Sequence, residues 1–301
     1  MGLSLKPQII PRDELFALLE EGATVVTGNR RLYREIEAEF ERRMQATREA
    51  WRTPDVLPFP AWLESNWEGA VLDGAVESPA LLLSDAQEQR IWERIVEDIS
   101  PGLLRVEATA AEAREAWRLV QAWRLPATRA VFSYNEDSQA FWRWQEAFDR
   151  HCRRNCWLPR AKLADDLAEG LKHGWEGAPK QLVLIGFDEL TPRQQTLAGV
   201  LEQAGCSVRW VEPAGRGSIS VRSGWPDVRA EVNAACRWAR QRLEANPDAR
   251  IGLVALELGA MRQILTQRLD AVLAPRMLAP AAPESAPRPW NLSLGLPLNQ
   301  R

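Results

Sequence analysis

The residues best placed for chemistry are an acidic pair, Asp188 and Glu189, in the stretch LVLIGFDELTPRQQTLAGVLEQAG (182–205). An apolar run opens this stretch, an amphipathic helix closes it, and Gly186-Phe187-Asp188-Glu189 forms the junction. Carboxylates at the mouth of a parallel strand are where nucleotide hydrolases hold magnesium. That chemistry also needs a phosphate cradle ending in Gly-Lys-Ser/Thr, whose lysine neutralises the terminal phosphates. The lysines are Lys6, Lys162, Lys172 and Lys180, and none follows a glycine or precedes Ser or Thr. A lysine-free alternative is Gly215-Arg216-Gly217-Ser218, which has the Gly and Ser to wrap a phosphate but no prompt helix after it.

A second candidate is ATVVTGNRRLYREIEAEF (23–40), a buried strand, a tight Thr27-Gly28-Asn29 turn, and Arg30 and Arg31 opening a helix. Free backbone N–H groups at a helix start, with two arginines beside them, suit a phosphate of single-stranded nucleic acid. An ordinary strand-to-helix turn with solvated arginines would have the same spacing. A third lies between Phe141 and Lys162, where six Lys/Arg stand against two acidic residues. Arg143, Arg150 and Arg154 recur at i, i+7 and i+11 as one stripe, beside an apolar stripe of Phe141, Trp144, Phe148 and Cys152. Such a face binds DNA, with nearby aromatic rings to stack bases, or simply faces water.

The elements that must position these residues fall into three textures. A short helix (12–21), the strand 23–27 and a charged helix (30–47) come first. TPDVLPFPAWLESNW follows, where prolines enforce an extended path before a helix restarts near Ala61. From 78 to 175 the pattern is helical, with no convincing strand. SDAQEQRIWERIVEDI opens on a Ser84 cap and is apolar at Ile91, Ile95 and Ile99. Tryptophans recur there at helical spacing, as rings that fill helix–helix interfaces. Strand and helix alternate again from 178, with strands near 182–186, 206–211 and 251–256 and helices over 192–204, 227–243 and 260–272. The Pro/Ala-rich stretch 274–289 reads as an exposed loop. Strands alternating with helices predict a parallel sheet, the first three strands sharing it and the helical span standing off it.

Composition narrows the classes. The 301 residues are 46% hydrophobic and 26% charged, as in a globular protein of two domains or one with a large insertion. A net charge of −3 gives no global pull toward nucleic acid, so binding would need a local patch. The cysteines, Cys152, Cys156, Cys206 and Cys236, make no C-x-x-C pair, and with His151 and His173 they support no zinc or redox motif. His151, Cys152 and Cys156 cluster, but on a helix that uses Cys152 as an apolar position. No apolar run reaches transmembrane length and the N-terminus lacks a cleavage site, so the expectation is a reduced, cytoplasmic protein with no membrane contact.

Together the two motifs resemble those of the UvrD/Rep class of helicases, in which a strand-T-x-x-N-+-A-helix motif touches the DNA backbone and a later hhhDEFQDT motif binds magnesium. The likeness is closer to the AddB-type family of helicase-like subunits and related probable DNA repair proteins, whose second motif, hhhxGFxxLTPxQxxLLxxL, is matched by VLIGFDELTPRQQTLAGVL. LLLSDAQEQRIWERI, FWRWQEAFDRHCRRNCWL and WNLSLGLPL also look like that family, so the resemblance spans nearly the whole chain. Setting Leu190-Thr191 over the helicase Asp-Thr puts Gly186 and Phe187 where the magnesium-binding Asp and catalytic Glu would stand.

The resemblance implies a degenerate RecA-like (P-loop NTPase-like) α/β sheet in 1–70 and 178–222, an all-helical insertion in 71–177, and the start of a second RecA-like domain in 223–301. It implies no catalysis, no cofactor and no metal in this segment. Thr27, Asn29, Arg30 and Arg31, with Arg143, Arg150 and Arg154, would contact single-stranded DNA weakly during double-strand break processing. It further implies an AddA-type helicase–nuclease partner and a C-terminal PD-(D/E)XK nuclease in the longer parent. The alternatives are a protein-binding scaffold built on the Trp-rich helices and an enzyme using the 215–218 loop for a nucleotide.

Overall fold

The computed structural model describes residues 8–75, 80–211, 220–278 and 288–293. They fall into two compact units, one up to residue 216 and one from 217. The chain begins with β1 (Gln8–Ile10), α1 (Arg12–Glu20), β2 (Thr24–Thr27), α2 (Arg30–Gln45), β3 (Val56–Pro58) and α3 (Phe59–Leu72). An excursion follows through β4 (Leu81–Leu82), α4 (Asp85–Ile99), α5 (Val106–Ala122), α6 (Glu136–Arg154) and β5 (Trp157–Leu158). The first unit closes with α7 (Leu163–Lys172), β6 (Gln181–Ile185), α8 (Pro192–Gln203) and β7 (Ser207–Val211).

The fold is α/β. Five strands form one parallel sheet in the order β1-β7-β6-β2-β3. As expected, 23–27, 182–186 and 206–211 supply three of its strands, in neighbouring positions. All four residues of β2 are buried, and β6 is buried after Gln181, because central strands of a parallel sheet are covered on both faces. One face packs on α1 and α2 through Leu15, Phe16, Ile36 and Phe40. The other packs on α3, α7 and α8 through Trp62, Leu167 and Leu197. The edge strands β1 and β3 lie outside the strands expected from sequence. Each is three residues long, and β3 ends at Pro58, within the proline stretch that the sequence reads as an extended path.

Two expectations for the helical span are corrected. It contains a small parallel ladder of Leu81-Leu82 with Trp157-Leu158, too short for an alternation signal. It also does not all stand off the sheet: Leu163, Leu167 and Leu171 of α7 join the same core cluster as Leu182 and Leu184 of β6. The ladder separates two cores. Leu83 and Trp157 pack into the helical core, while Leu82 and Leu158 pack into the sheet core. The helical core centres on Trp92, Trp117 and Phe148, with Trp92 and Phe148 stacked at 4.6 Å between ring centroids. Ser84 caps α4 as read, in a capping box with Gln87. The buried face of α4 is Glu88, Trp92, Ile95 and Val96, with Ile91 and Ile99 flanking it.

In the second unit α9 (Val228–Ala245) and α10 (Leu258–Leu273) pack through Val232, Cys236, Leu265 and Leu269. The strand expected at 251–256 is absent. Its composition is strand-like, but no other strand is described in this unit to satisfy its backbone groups, and Val254 and Leu256 are exposed. Among the described residues no helix is long and apolar enough to cross a membrane.

Candidate functional site

The sheet's connections reverse direction between β2 and β6. The path through α2 leads from β2 to β3 on one side; the path through α8 leads from β6 to β7 on the other. The two helices accordingly lie on opposite faces. Open α/β sheets take ligands outside the carboxyl ends of their strands at such a reversal. Both sequence motifs sit there, since β2 and β6 are paired in parallel with Thr27 opposite Ile185.

The two strand ends are in direct backbone contact. The Gly28 N–H donates to the Ile185 carbonyl at 3.0 Å. A Cβ on Gly28 would lie 2.2 Å from the Gly186 carbonyl oxygen, and one on Gly186 would lie 2.3 Å from Leu32 Cδ2. Gly186 also holds φ +74°, a left-handed conformation that side chains disfavour. Phe187 then turns inward. Its ring packs edge-on to Phe59 and Trp210, with centroids 6.1 and 6.3 Å away. Asp188 and Glu189 are exposed, and α8 starts just beyond them at a Thr191–Gln194 capping box with Pro192 in its first turn. Gly186 and Phe187, which the resemblance sets over magnesium-binding and catalytic acids, are therefore a close-approach glycine and a core aromatic. No group of three or more His, Cys, Asp or Glu among the described residues could hold a metal ion.

The strand-to-helix loops give a second test for nucleotide chemistry. Pro11 alone joins β1 to α1, Gly28 and Asn29 join β2 to α2, and β3 runs directly into α3. The 186–191 loop has a glycine but no lysine. None of these offers a Gly-Lys-Ser/Thr cradle. The 215–218 loop lies outside the described residues.

In the TGNRR motif the four side chains divide into two pairs. Thr27 is fully buried, and its hydroxyl donates to the Asn29 carbonyl at 3.0 Å. The Asn29 side-chain oxygen caps α2, accepting from Arg31 N at 3.1 Å and Leu32 N at 2.9 Å. The expectation of free N–H groups at this helix start is therefore corrected: the asparagine satisfies two of them itself. Arg30 and Arg31 are exposed and have no ion-pair partner among the described residues. No acidic residue stands in the first turn of α2, so two cations are held against the positive end of the helix dipole, an arrangement that a bound anion would relieve.

Arg30 also lines a cavity of about 500 Å³ at the carboxyl ends of β2, β3 and β6. Phe59 and Leu63 of α3 and Arg118, Arg160 and Arg193 line it as well. Arg118 bonds Asp85 at 2.6 Å and the fully buried Glu88 at 3.0 Å, and Arg160 pairs with Glu64. Arg193 bonds Asp165 at 2.7 Å and reaches Gln121 of α5 at 3.2 Å; burial pushes its pKa down against the pull of Asp165. Sequence reasoning missed these three arginines. They come from α5, the turn before α7 and the start of α8, and no local pattern signals their convergence.

On α6, Trp144, Phe148 and Cys152 are buried and Phe141 packs beside them, while Arg143, Arg150 and Arg154 are exposed along the opposite side. Arg150 is paired with Glu146 at 3.2 Å. Burial pushes the Cys152 thiol up to about 12, with Asp149 adding to it, and Cys156 is exposed with φ +53°. The chain matches no protein-family model and no curated protein.

Proposed function

We propose that this chain is a non-catalytic, helicase-like segment of an AddB-type DNA repair helicase–nuclease, with a degenerate RecA-like sheet that scaffolds the machine and contacts single-stranded DNA. The observation that carries the reading is the backbone contact between the two motifs. The turn bearing Arg30 and Arg31 is braced by Gly186 at the point where a working relative would bind magnesium–nucleotide. Hydrolysis is given up, and the basic turn is kept rigid and exposed. In this reading Arg30 and Arg31 touch phosphates, while Thr27 and Asn29 hold the turn. Arg143 and Arg154 offer a second, weaker patch, with Arg150 partly neutralised by Glu146. An AddA-type motor subunit and a nuclease elsewhere in the parent belong to the same proposal.

The test is fluorescence anisotropy with a labelled single strand across a salt series. Weak binding, roughly micromolar to sub-millimolar near physiological salt, is expected. Replacing Arg30 and Arg31 together by Ala should reduce the salt slope by about one to two. Unchanged affinity and slope would make the motif only a turn and favour the protein-scaffold reading. That second reading draws on the segment between α5 and α6, where Trp123, Leu125, Val131 and Tyr134 are exposed, while Trp62, Trp67, Trp92, Trp117 and Trp144 are core.

A further inference from the structure

The chain crosses between the sheet core and the helical core at two points. Leu82 packs with the sheet core and Leu83 with the helical one; on the return, Trp157 packs with the helical core and Leu158 with the sheet core. The two crossings run side by side as the β4–β5 ladder, only two residues long. Two separately packed bodies joined along one such line can turn about it, because the turn leaves each core's own contacts intact. Just past the second crossing, Lys162 bonds Asp149 of α6 at 2.7 Å and tethers the excursion there.

Elsewhere along the seam between the two bodies lie the cavity of about 500 Å³ and a polar bridge. Phe59, Leu63 and Ala164 wall the cavity from the sheet side, and Asp85, Arg118 and Ala122 from the excursion. The bridge centres on Asp165 of α7. One of its carboxylate oxygens accepts from Arg124, just past the end of α5, at 2.9 Å, and the other from Arg193 of α8 at 2.7 Å. Arg193 also donates to Gln121 of α5 at 3.2 Å. Arg124 holds φ +50° where a helix end usually places glycine, with the Leu125 N–H closing the turn on the Val120 carbonyl at 3.0 Å. Its backbone disfavours a side chain there, and the side chain that is present reaches across the seam to Asp165. We infer that the helical excursion is a hinged arm that turns at the β4–β5 ladder, and that Arg124 and Arg193, sharing the Asp165 carboxylate, latch it shut over the cavity.

The inference goes beyond the DNA-contact reading and does not depend on it. The probe is a thiol on the cavity wall: Ala164→Cys, at a position 3% exposed, in a Cys156→Ser background of the full chain. It is labelled with a water-soluble maleimide and read by peptide mass spectrometry. Arg124→Gly removes the latch side chain and gives the helix end its preferred residue, so it should not lower stability. It should nevertheless speed labelling at position 164 at least about fivefold, and Asp165→Ala should do the same. Cys152 lies in the helical core and Cys206 in the sheet core, so both should stay unmodified while the arm swings. The idea is overturned if either variant labels at the parent rate. It is equally overturned if Cys152 and Cys206 are modified in step with position 164, which would make the opening a global unfolding.

Discussion

Gly28 and Gly186 meet backbone to backbone across the two central strands, so closely that a Cβ on the first would fall 2.2 Å from the carbonyl oxygen of the second. Neither position has free room for a Cβ, yet the two substitutions should differ. Gly28→Ala drives a methyl into a main-chain carbonyl just past the end of β6, and overpacking of this kind costs about 1–3 kcal/mol. Gly186→Ala meets only the terminal methyl of Leu32, which can rotate, but must adopt φ +74° at about 1–2 kcal/mol. Urea unfolding should show both variants destabilised, and a compensating Leu32→Ala should relieve the second far more than the first. Relief of both alike would mean that the glycines are not in contact as described.

Phe187 and its acidic neighbours should respond in opposite ways to truncation. Phe187→Ala removes a core ring packed on Phe59 and Trp210 and should cost about 3–5 kcal/mol. Asp188→Ala and Glu189→Ala, both exposed, should fall within about 0.5 kcal/mol. Isothermal titration with ATP and magnesium should give no saturable heat at affinities tighter than about 4 kcal/mol, near millimolar. A micromolar site lost on mutating Asp188 or Glu189 would show that the displaced acids still bind metal–nucleotide.

Asn29 should act on stability before it acts on DNA. Asn29→Ala removes the acceptor of two N–H groups at the start of α2 and should cost about 1 kcal/mol, while Asn29→Asp keeps the cap. Chemical denaturation checks both. If Asn29→Ala lowers oligonucleotide affinity without lowering stability, the side chain contacts nucleic acid directly.

Arg193 joins layers that are distant in sequence, bonding Asp165 of α7 and Gln121 of α5 from a side chain only 9% exposed. Arg193→Ala should cost about 2 kcal/mol, below the full value for a broken buried pair because Asp165 is partly exposed and keeps Arg124. A double-mutant cycle with Gln121→Ala should show coupling. Strict additivity would argue that the excursion is not anchored through this residue.

The thiols predict a pH window. Burial raises Cys152 from 9.0 to about 12 and Cys206 to about 11. An acid with a raised folded pKa is kept protonated by folding. Its contribution is therefore complete below about 9 and is lost progressively as pH rises toward the folded values. Stability should decline from about pH 9 upward, and Cys152→Ala or Cys206→Ala should flatten that decline after allowing for lost packing. At pH 8 a thiol reagent should modify Cys156 in the native protein and reach Cys152 and Cys206 only on unfolding.

Elements are legible in the sequence where local pattern and tertiary demand agree. β2 carries Val25-Val26 between two buried threonines and β6 the apolar run Leu182–Ile185, each followed by a glycine, Gly28 or Gly186, and burial on both sheet faces is what such stretches signify. Ser84 marks the start of α4 through hydrogen bonds made within its own turn. Where pairing is supplied from far away, the signal vanishes. Gln8–Ile10 is a strand only because Ser207–Val211 lies beside it, and 251–256 has the apolar residues of a strand with no described strand to pair with. The same limit governs the site. The arginines of the TGNRR turn can be read from their neighbours, but not the pairing of Asn29 with its own helix N–H groups, nor the arrival of Arg118, Arg160 and Arg193 around one cavity.

The sheet order carries a consequence for synthesis on the ribosome. β1 hydrogen-bonds to β7 alone, which is made long after it, and β2 waits for β6 across the whole helical excursion. At about 5–20 residues per second, roughly 10–40 s separate the emergence of β1 from that of its partner. Throughout that interval α1 and α2 have only an incomplete sheet to cover, and Leu15, Phe16 and Phe40 lack most of their final neighbours. The nascent β1–α2 segment should therefore expose these apolar side chains until β6 and β7 have emerged to complete the sheet.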